Sequence, residues 1–270
     1  MTGLLDRVRL LTVDRIYPFE WTGNCQKHAE FSSKLHGVVR DPFPVLHLEQ
    51  GRYVLLEAAD LFRELVLSGI KHVPVQICRP STIKISAPSI GLSKTTRVDI
   101  EDLVQIFPRC LLLARNGDPV PESHLELDFT FRGQKPARLF VRRINGAGCP
   151  EPLQDVFRAI NSKGGYVPMA ALNAPPGVLC KTSELSGTVR LPSFYIHDLT
   201  GAVTSGKLFP DRVIVPTITS RVLNLDFPLH VLKSERPLEE KQAFLSDLIT
   251  FRNLSYRTSS FKGRVYLLNR

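Results

Sequence analysis

Several things are missing from this 270-residue chain. No stretch approaches the roughly 18–20 consecutive apolar residues of a membrane span, so a helical membrane protein is excluded. No Cys-x-x-Cys pair occurs. The five cysteines, Cys25, Cys78, Cys110, Cys149 and Cys180, are odd in number and far apart, which argues against a structural zinc site or a disulfide framework. The first eleven residues carry Asp6, Arg7 and Arg9 and lack the apolar core of a secretory signal, so the cytoplasm is the expected location. Internal repeats and low-complexity tracts are absent too, which excludes a solenoid. Acid is scarce: 26 Asp and Glu face 35 Lys and Arg, for a formal charge of +9. Such a balance suits nucleic acid or another anionic partner. What remains is an ordinary globular composition, 43% hydrophobic and 23% charged, on a chain long enough to bury a core without staples.

The first third holds the densest pattern. Val8 to Val13 reads as a strand and Lys27 to Leu35 as a short helix ended at Gly37. Pro44 to Leu48 and Tyr53 to Leu56 read as a hairpin around Gln50-Gly51. Glu57 to Ser68 reads as a helix, with Ala59, Phe62, Leu65 and Val66 at helical spacing and Gly69 as its stop. Val73 to Ile77 is a further strand.

The rest is more varied. Leu125 to Phe131 alternates as a half-buried strand, and Ala137 to Ile144 returns from it. Pro152 to Asn161 reads as a helix, and Asn173 to Ser193 as irregular chain around Pro175-Pro176-Gly177. Thr217 to Leu225 reads as one strand. Ser234 to Pro237 resembles a helix start, leading to a helix with Phe244, Leu245, Leu248 and Ile249 on one face. Arg264 to Leu268 closes the chain as a strand. The expected fold class is α/β with a mixed sheet, divided into 1–95 and an appended α/β region, 96–270.

Val13-Asp14-Arg15-Ile16, Glu20, Gly51-Arg52-Tyr53-Val54-Leu55-Leu56, a helix and then Gly69-Ile70-Lys71-His72-Val73-Pro74-Val75-Gln76 together resemble the ParB/sulfiredoxin superfamily. Within it the chain is most similar to the free-serine kinases and their relatives in siderophore biosynthesis. Arg221-Val222-Leu223-Asn224-Leu225, Pro228-Leu229, Phe244-Leu245 and Arg264-Val265-Tyr266-Leu267 extend the likeness into the last third. The resemblance implies phosphoryl transfer from ATP with Mg²⁺ to free L-serine, giving O-phosphoserine for a diaminopropionate-containing siderophore. It also implies DNA binding and a haem-responsive regulatory role. The DNA-reading helical domain of ParB proteins is missing from the resemblance.

The resemblance places Glu20 at the family's catalytic carboxylate, where a base accepts the proton of the serine hydroxyl; otherwise it is a solvated loop residue beside Trp21. The family's phosphate motif, of Asp-Gly-x-His-Arg type, falls on Glu57-Ala58-Ala59-Asp60-Leu61. Only the acid survives. Two carboxylates in a first helical turn each favour the helix by ~0.3–1 kcal/mol, but they repel phosphate unless Mg²⁺ intervenes. Arg63 can pair with Asp60 at i, i+3, which makes a self-capped helix the plainer account. A second nucleotide-contacting run, Val-Thr-Arg in the kinases, falls on Val213-Ile214-Val215, which cannot donate to phosphate. Ser220 and Arg221 remain, either facing the old cleft or standing at a strand edge. A sulfiredoxin-type redox protein would need a thiol within 57–61, and there is none.

Arg132, Lys135, Arg138, Arg142 and Arg143 gather around the middle hairpin, and Arg252, Arg257, Lys262, Arg264 and Arg270 near the C-terminus. They read as a salt-sensitive DNA surface or as solvated charge. The first functional expectation is therefore a regulatory or binding protein with a degenerate kinase site, linked to siderophore or diaminopropionate metabolism. The alternative is an active L-serine kinase with Glu20 as base and a phosphate site rebuilt from Glu57, Asp60 and Mg²⁺.

Overall fold

A computed structural model describes residues 7–21, 37–86, 89–93, 100–106, 111–114, 119, 124–131, 136–142, 151–162, 166–168, 185–210, 213–255, 259–260 and 265–267. The chain forms two compact units. The first joins Met1–Lys84 to Pro216–Arg270, and the second is Ile85–Val215. The expected division at 95 gives way to one about ten residues earlier, with the last third belonging to the first unit. The expected helix over Lys27 to Leu35 lies outside the described residues.

The first unit begins with β1 (Val8–Thr12), β2 (Ile16–Pro18), β3 (Glu20–Trp21), β4 (Val38–Val39), β5 (Phe43–His47) and β6 (Tyr53–Leu55), followed by α1 (Ala59–Leu67) and β7 (His72–Cys78). Its five-stranded sheet runs β1-β7-β5-β6-β2. Neighbours alternate: β1 and β7 are antiparallel, β7 and β5 parallel, β5 and β6 antiparallel, β6 and β2 parallel. The β5–β6 turn works because Gln50 and Gly51 both take positive φ, 60° and 70°, as a tight hairpin connection requires. In α1 the buried stripe is Ala59, Phe62 and Leu65, while Val66 faces outward. The expected periodicity thus holds for three of the four positions.

β8 (Ile83–Ser86) leads out of the first unit. The second unit contains β9 (Ile90–Ser93), α2 (Ile100–Ile106), β10 (Leu111–Ala114), β11 (His124–Phe131), β12 (Ala137–Arg142), α3 (Glu151–Ser162), β13 (Tyr166–Pro168), β14 (Leu185–Arg190), α4 (Ile196–Ser205) and β15 (Phe209–Pro210). Its six strands order as β10-β12-β11-β14-β9-β13, with every pairing antiparallel. β14 corrects the expectation of irregular chain up to Ser193. Its sequence, Leu185-Ser186-Gly187-Thr188-Val189-Arg190, holds a glycine that weakens any strand reading. Here the glycine is required, because a Cβ on Gly187 would stand 2.7 Å from the Thr130 carbonyl oxygen.

β16 (Val215–Ile218) returns the chain to the first unit, which is completed by β17 (Arg221–Leu223), β18 (Phe227–Pro228), α5 (Leu229–Lys233), α6 (Leu238–Ser255), β19 (Ser259–Ser260) and β20 (Val265–Leu267). The single strand expected over Thr217 to Leu225 is two strands, interrupted at Thr219-Ser220. β17 runs parallel to β20, with Arg221 opposite Val265, and β18 pairs with β4. α6 starts at Leu238, just after Pro237, whose carbonyl accepts from the Lys241 N–H at 3.2 Å. The core of this unit brings Phe43, Leu55, Phe62 and Leu65 together with Val222, Phe227 and Leu245, so it needs both stretches of chain.

Candidate functional site

The parallel pair β2 and β6 sets out the site. Pro18 lies opposite Leu55. Glu20 and Glu57 each follow two residues later, so both carboxylates stand beyond the same edge of the sheet. Open α/β sheets bind ligands at such strand ends. Asp41, just before β5, adds a third carboxylate whose field reaches Glu57.

Arg221, at the start of β17, donates from Nη1 to Glu57 Oε2 in a close ion pair. Burial pushes the Glu57 carboxyl above the ordinary carboxylate range; Arg221 pulls it down by charge and by hydrogen bonding, and Asp41 pushes it up again. Gln76, only 1% exposed in the middle of β7, holds the same segment. Its Nε2 donates to the Ser220 carbonyl at 2.7 Å, and its Oε1 accepts from the Val222 N–H at 2.8 Å.

Asn224 and Asp226 both take positive φ, 56° and 47°. Their strain is held by Asp41, which accepts from the Asn224 N–H at 2.7 Å, and by the Arg40 carbonyl, which accepts from the Asp226 N–H at 2.8 Å. Arg252 of α6 closes the loop with a 2.6 Å bond to the Asn224 carbonyl and a contact with Asp226. Ala58 enters α1 in the left-handed conformation, φ 61° and ψ 37°, and gives the helix no side-chain cap. Alanine here takes a conformation that glycine adopts without steric cost.

No family model matches the sequence, and no curated protein matches it. Solved structures do. SbnI with a C-terminal truncation, from Staphylococcus aureus, superposes with a TM-score of 0.70 at 19% identity, over 93% of this chain and 99% of that one. A free serine kinase mutant in complex with AMP gives a TM-score of 0.64 at 11% identity, over 84% and 94%. A conserved hypothetical protein from Pyrococcus furiosus gives 0.59 at 10% identity, over 84% and 97%. The fold is that of SbnI and the free serine kinases.

Within this SbnI fold the candidate residues fare differently. Glu57 and Arg221 meet directly. Ser220 contributes its carbonyl to the Gln76 bond. Glu20 is half-buried at the start of β3. Asp60 lies in the first turn of α1 and Arg63 one turn on, both half-buried. Arg221 occupies Glu57 Oε2, and among the described residues no three His, Cys, Asp or Glu gather into a metal-binding group. Cys78, the one cysteine among the described residues, is buried, and that burial pushes its thiol up to about 12.

Val213 and Ile214, expected from the resemblance at a nucleotide-contacting run, are buried, at 0% and 2% exposed. Arg138 is not a free surface cation: it bridges Glu126 at 2.6 Å and Asp128 at 3.5 Å across the β11–β12 pair. Arg142 is exposed at the end of β12. Arg132, Lys135 and Arg143 lie outside the described residues. Sequence reasoning missed Asp41 and Gln76. The usable signal for Gln76 was a lone amide within the apolar run His72-Val73-Pro74-Val75-Gln76-Ile77, because a buried polar group implies partners.

Proposed function

We propose that the protein is a binding or regulatory protein of the SbnI type that has given up kinase chemistry, serving siderophore or diaminopropionate metabolism in the cytoplasm. One observation carries this proposal: Arg221 is committed to Glu57. Phosphate recognition needs cations free to point at the ligand. At this sheet edge the retained arginine is neutralised by an acid, and the His and Arg of the family motif are Asp60 and Leu61. Serine or a nucleotide is the small molecule such a site would sense. DNA is the partner that the surplus charge would serve.

The decisive experiment incubates the full chain with ATP, Mg²⁺ and L-serine. No O-phosphoserine and no ADP should form, while L-serine, AMP or ADP raises the melting temperature. Product formation that is lost in Glu20→Ala would overturn the proposal. It would favour the kinase alternative, which the matched positions of Glu20 and Glu57, each two residues past the paired Pro18 and Leu55, support. There the serine hydroxyl oxygen bonds to the γ-phosphorus, the bond to ADP breaks, and Glu20 takes the hydroxyl proton. For DNA, retarded migration that persists at moderate salt is the expected outcome; loss at moderate salt leaves only non-specific charge.

A further inference from the structure

We infer that Gln76 is the positioning residue of this site: its side-chain amide imitates a residue of a neighbouring parallel strand and thereby fixes the direction in which Arg221 points. In a parallel ladder, one residue gives its N–H to the carbonyl before its opposite number and accepts from the N–H after it. Gln76 does this with its carboxamide. Nε2 donates to the carbonyl of Ser220 and Oε1 accepts from the N–H of Val222, at 2.7 and 2.8 Å. Arg221 is the residue bracketed between them.

A backbone could not take this role. β7 already has β1 on one side and β5 on the other. β17 belongs to a separate sheet with β20 and β19. Only a side chain rising from the face of β7 can reach it. The bracket holds both peptide groups that flank Arg221, so its Cα–Cβ direction is set, and the guanidinium arrives at Glu57. Asn at this position is one methylene too short. Glu offers two acceptors when ionised and repels the Ser220 carbonyl. Met keeps the volume and loses both bonds.

This inference deepens the proposed function, because it names what holds the arginine of that site in place. Its test uses no ligand, so it fails separately from any binding assay. The Arg221 Nε–Hε resonance of the full chain is assigned through Arg221→Lys, and its shift is compared with that in Glu57→Gln. In Gln76→Met the resonance should leave its wild-type position for that of a solvated arginine, with the melt still cooperative. A folded Gln76→Met protein whose Arg221 resonance stays put overturns the inference. If Gln76→Met does not fold, Gln76→Glu decides. A protonated carboxyl can donate one bond and accept one, the two that the Gln76 amide makes here, so at acid pH the resonance should sit at the wild-type position. It should move away as pH rises and the new acid ionises, a step beyond the change that Glu57 itself gives the wild-type protein over the same range. No such pH dependence in Gln76→Glu rejects the inference equally.

Discussion

At the scale of single residues, Glu57 is the informative group. Its carboxyl sits above the ordinary value because burial outweighs the pull of Arg221. The folded state therefore binds this proton more tightly than the unfolded chain. Its contribution to stability is complete below the unfolded value of roughly 4.3 and is lost as pH rises through the higher folded value. In Glu57→Gln the amide still accepts from Arg221 and does not titrate. The wild-type protein should lose stability relative to Glu57→Gln as pH rises from about 4 towards neutrality, a difference read from melting curves at each pH. A constant difference would contradict the assignment. Ala58 gives a second prediction. A left-handed residue with a Cβ costs roughly 1–2 kcal/mol, and glycine returns about 0.4–1 of that through the freer unfolded chain. Ala58→Gly should thus stabilise by about 0.5–1 kcal/mol, visible as a higher denaturation midpoint.

At the scale of elements, α1 and β14 are held by opposite means. α1 depends on side chains: Leu65 is fully buried and Phe62 meets Phe43 edge-to-face at 5.8 Å. Leu65→Ala should cost about 2–5 kcal/mol in a denaturant titration. β14 depends on the lack of one. Gly187→Ala would press a methyl group against the Thr130 carbonyl oxygen at 2.7 Å, and should cost about 1–3 kcal/mol or force β14 out of register. These two elements also show what could be read from sequence. The stripe Ala59, Phe62, Leu65 is a local period, and local periods survive into the fold. So do the hairpin turn at Gln50-Gly51 and the alternation of β11. β14 was hidden because its glycine answers a neighbour in a distant part of the chain. The break between β16 and β17 was hidden for a related reason. Nothing local in Thr219-Ser220 signals it; the Gln76 bracket around Arg221 begins there, at the Ser220 carbonyl. For the site, the acids Glu20 and Glu57 could be picked out by resemblance. The pairing of Glu57 with Arg221 and the roles of Asp41 and Gln76 could not, since each joins residues more than a hundred positions apart.

At the scale of the whole molecule, the first unit is interrupted by the second. Its two stretches of chain meet where the Thr219 N–H donates to the Thr82 carbonyl at 2.9 Å. A short glycine-serine linker in place of 85–215 should therefore leave a folded first unit, because the ends to be joined are already close and long insertions at such a place cost little closure entropy. Circular dichroism should show one cooperative melt, and the Arg221 resonance should keep its shift. A non-cooperative melt would mean that the first unit needs the second to fold.

The bracket by Gln76 spans 144 positions of sequence. A ribosome adds about 5–20 residues each second, so the amide waits between roughly 7 and 30 s for the peptide groups it will hold. In that interval the sheet of the first unit lacks Val222, Phe227 and Leu245 from its core. The second unit, which ends at Val215, is complete in the emerging chain by the end of that interval. Nascent protein should thus pass through a stage with a finished inserted domain and an open, chaperone-accessible host domain, whose arginine and glutamate meet only after the last stretch has been made.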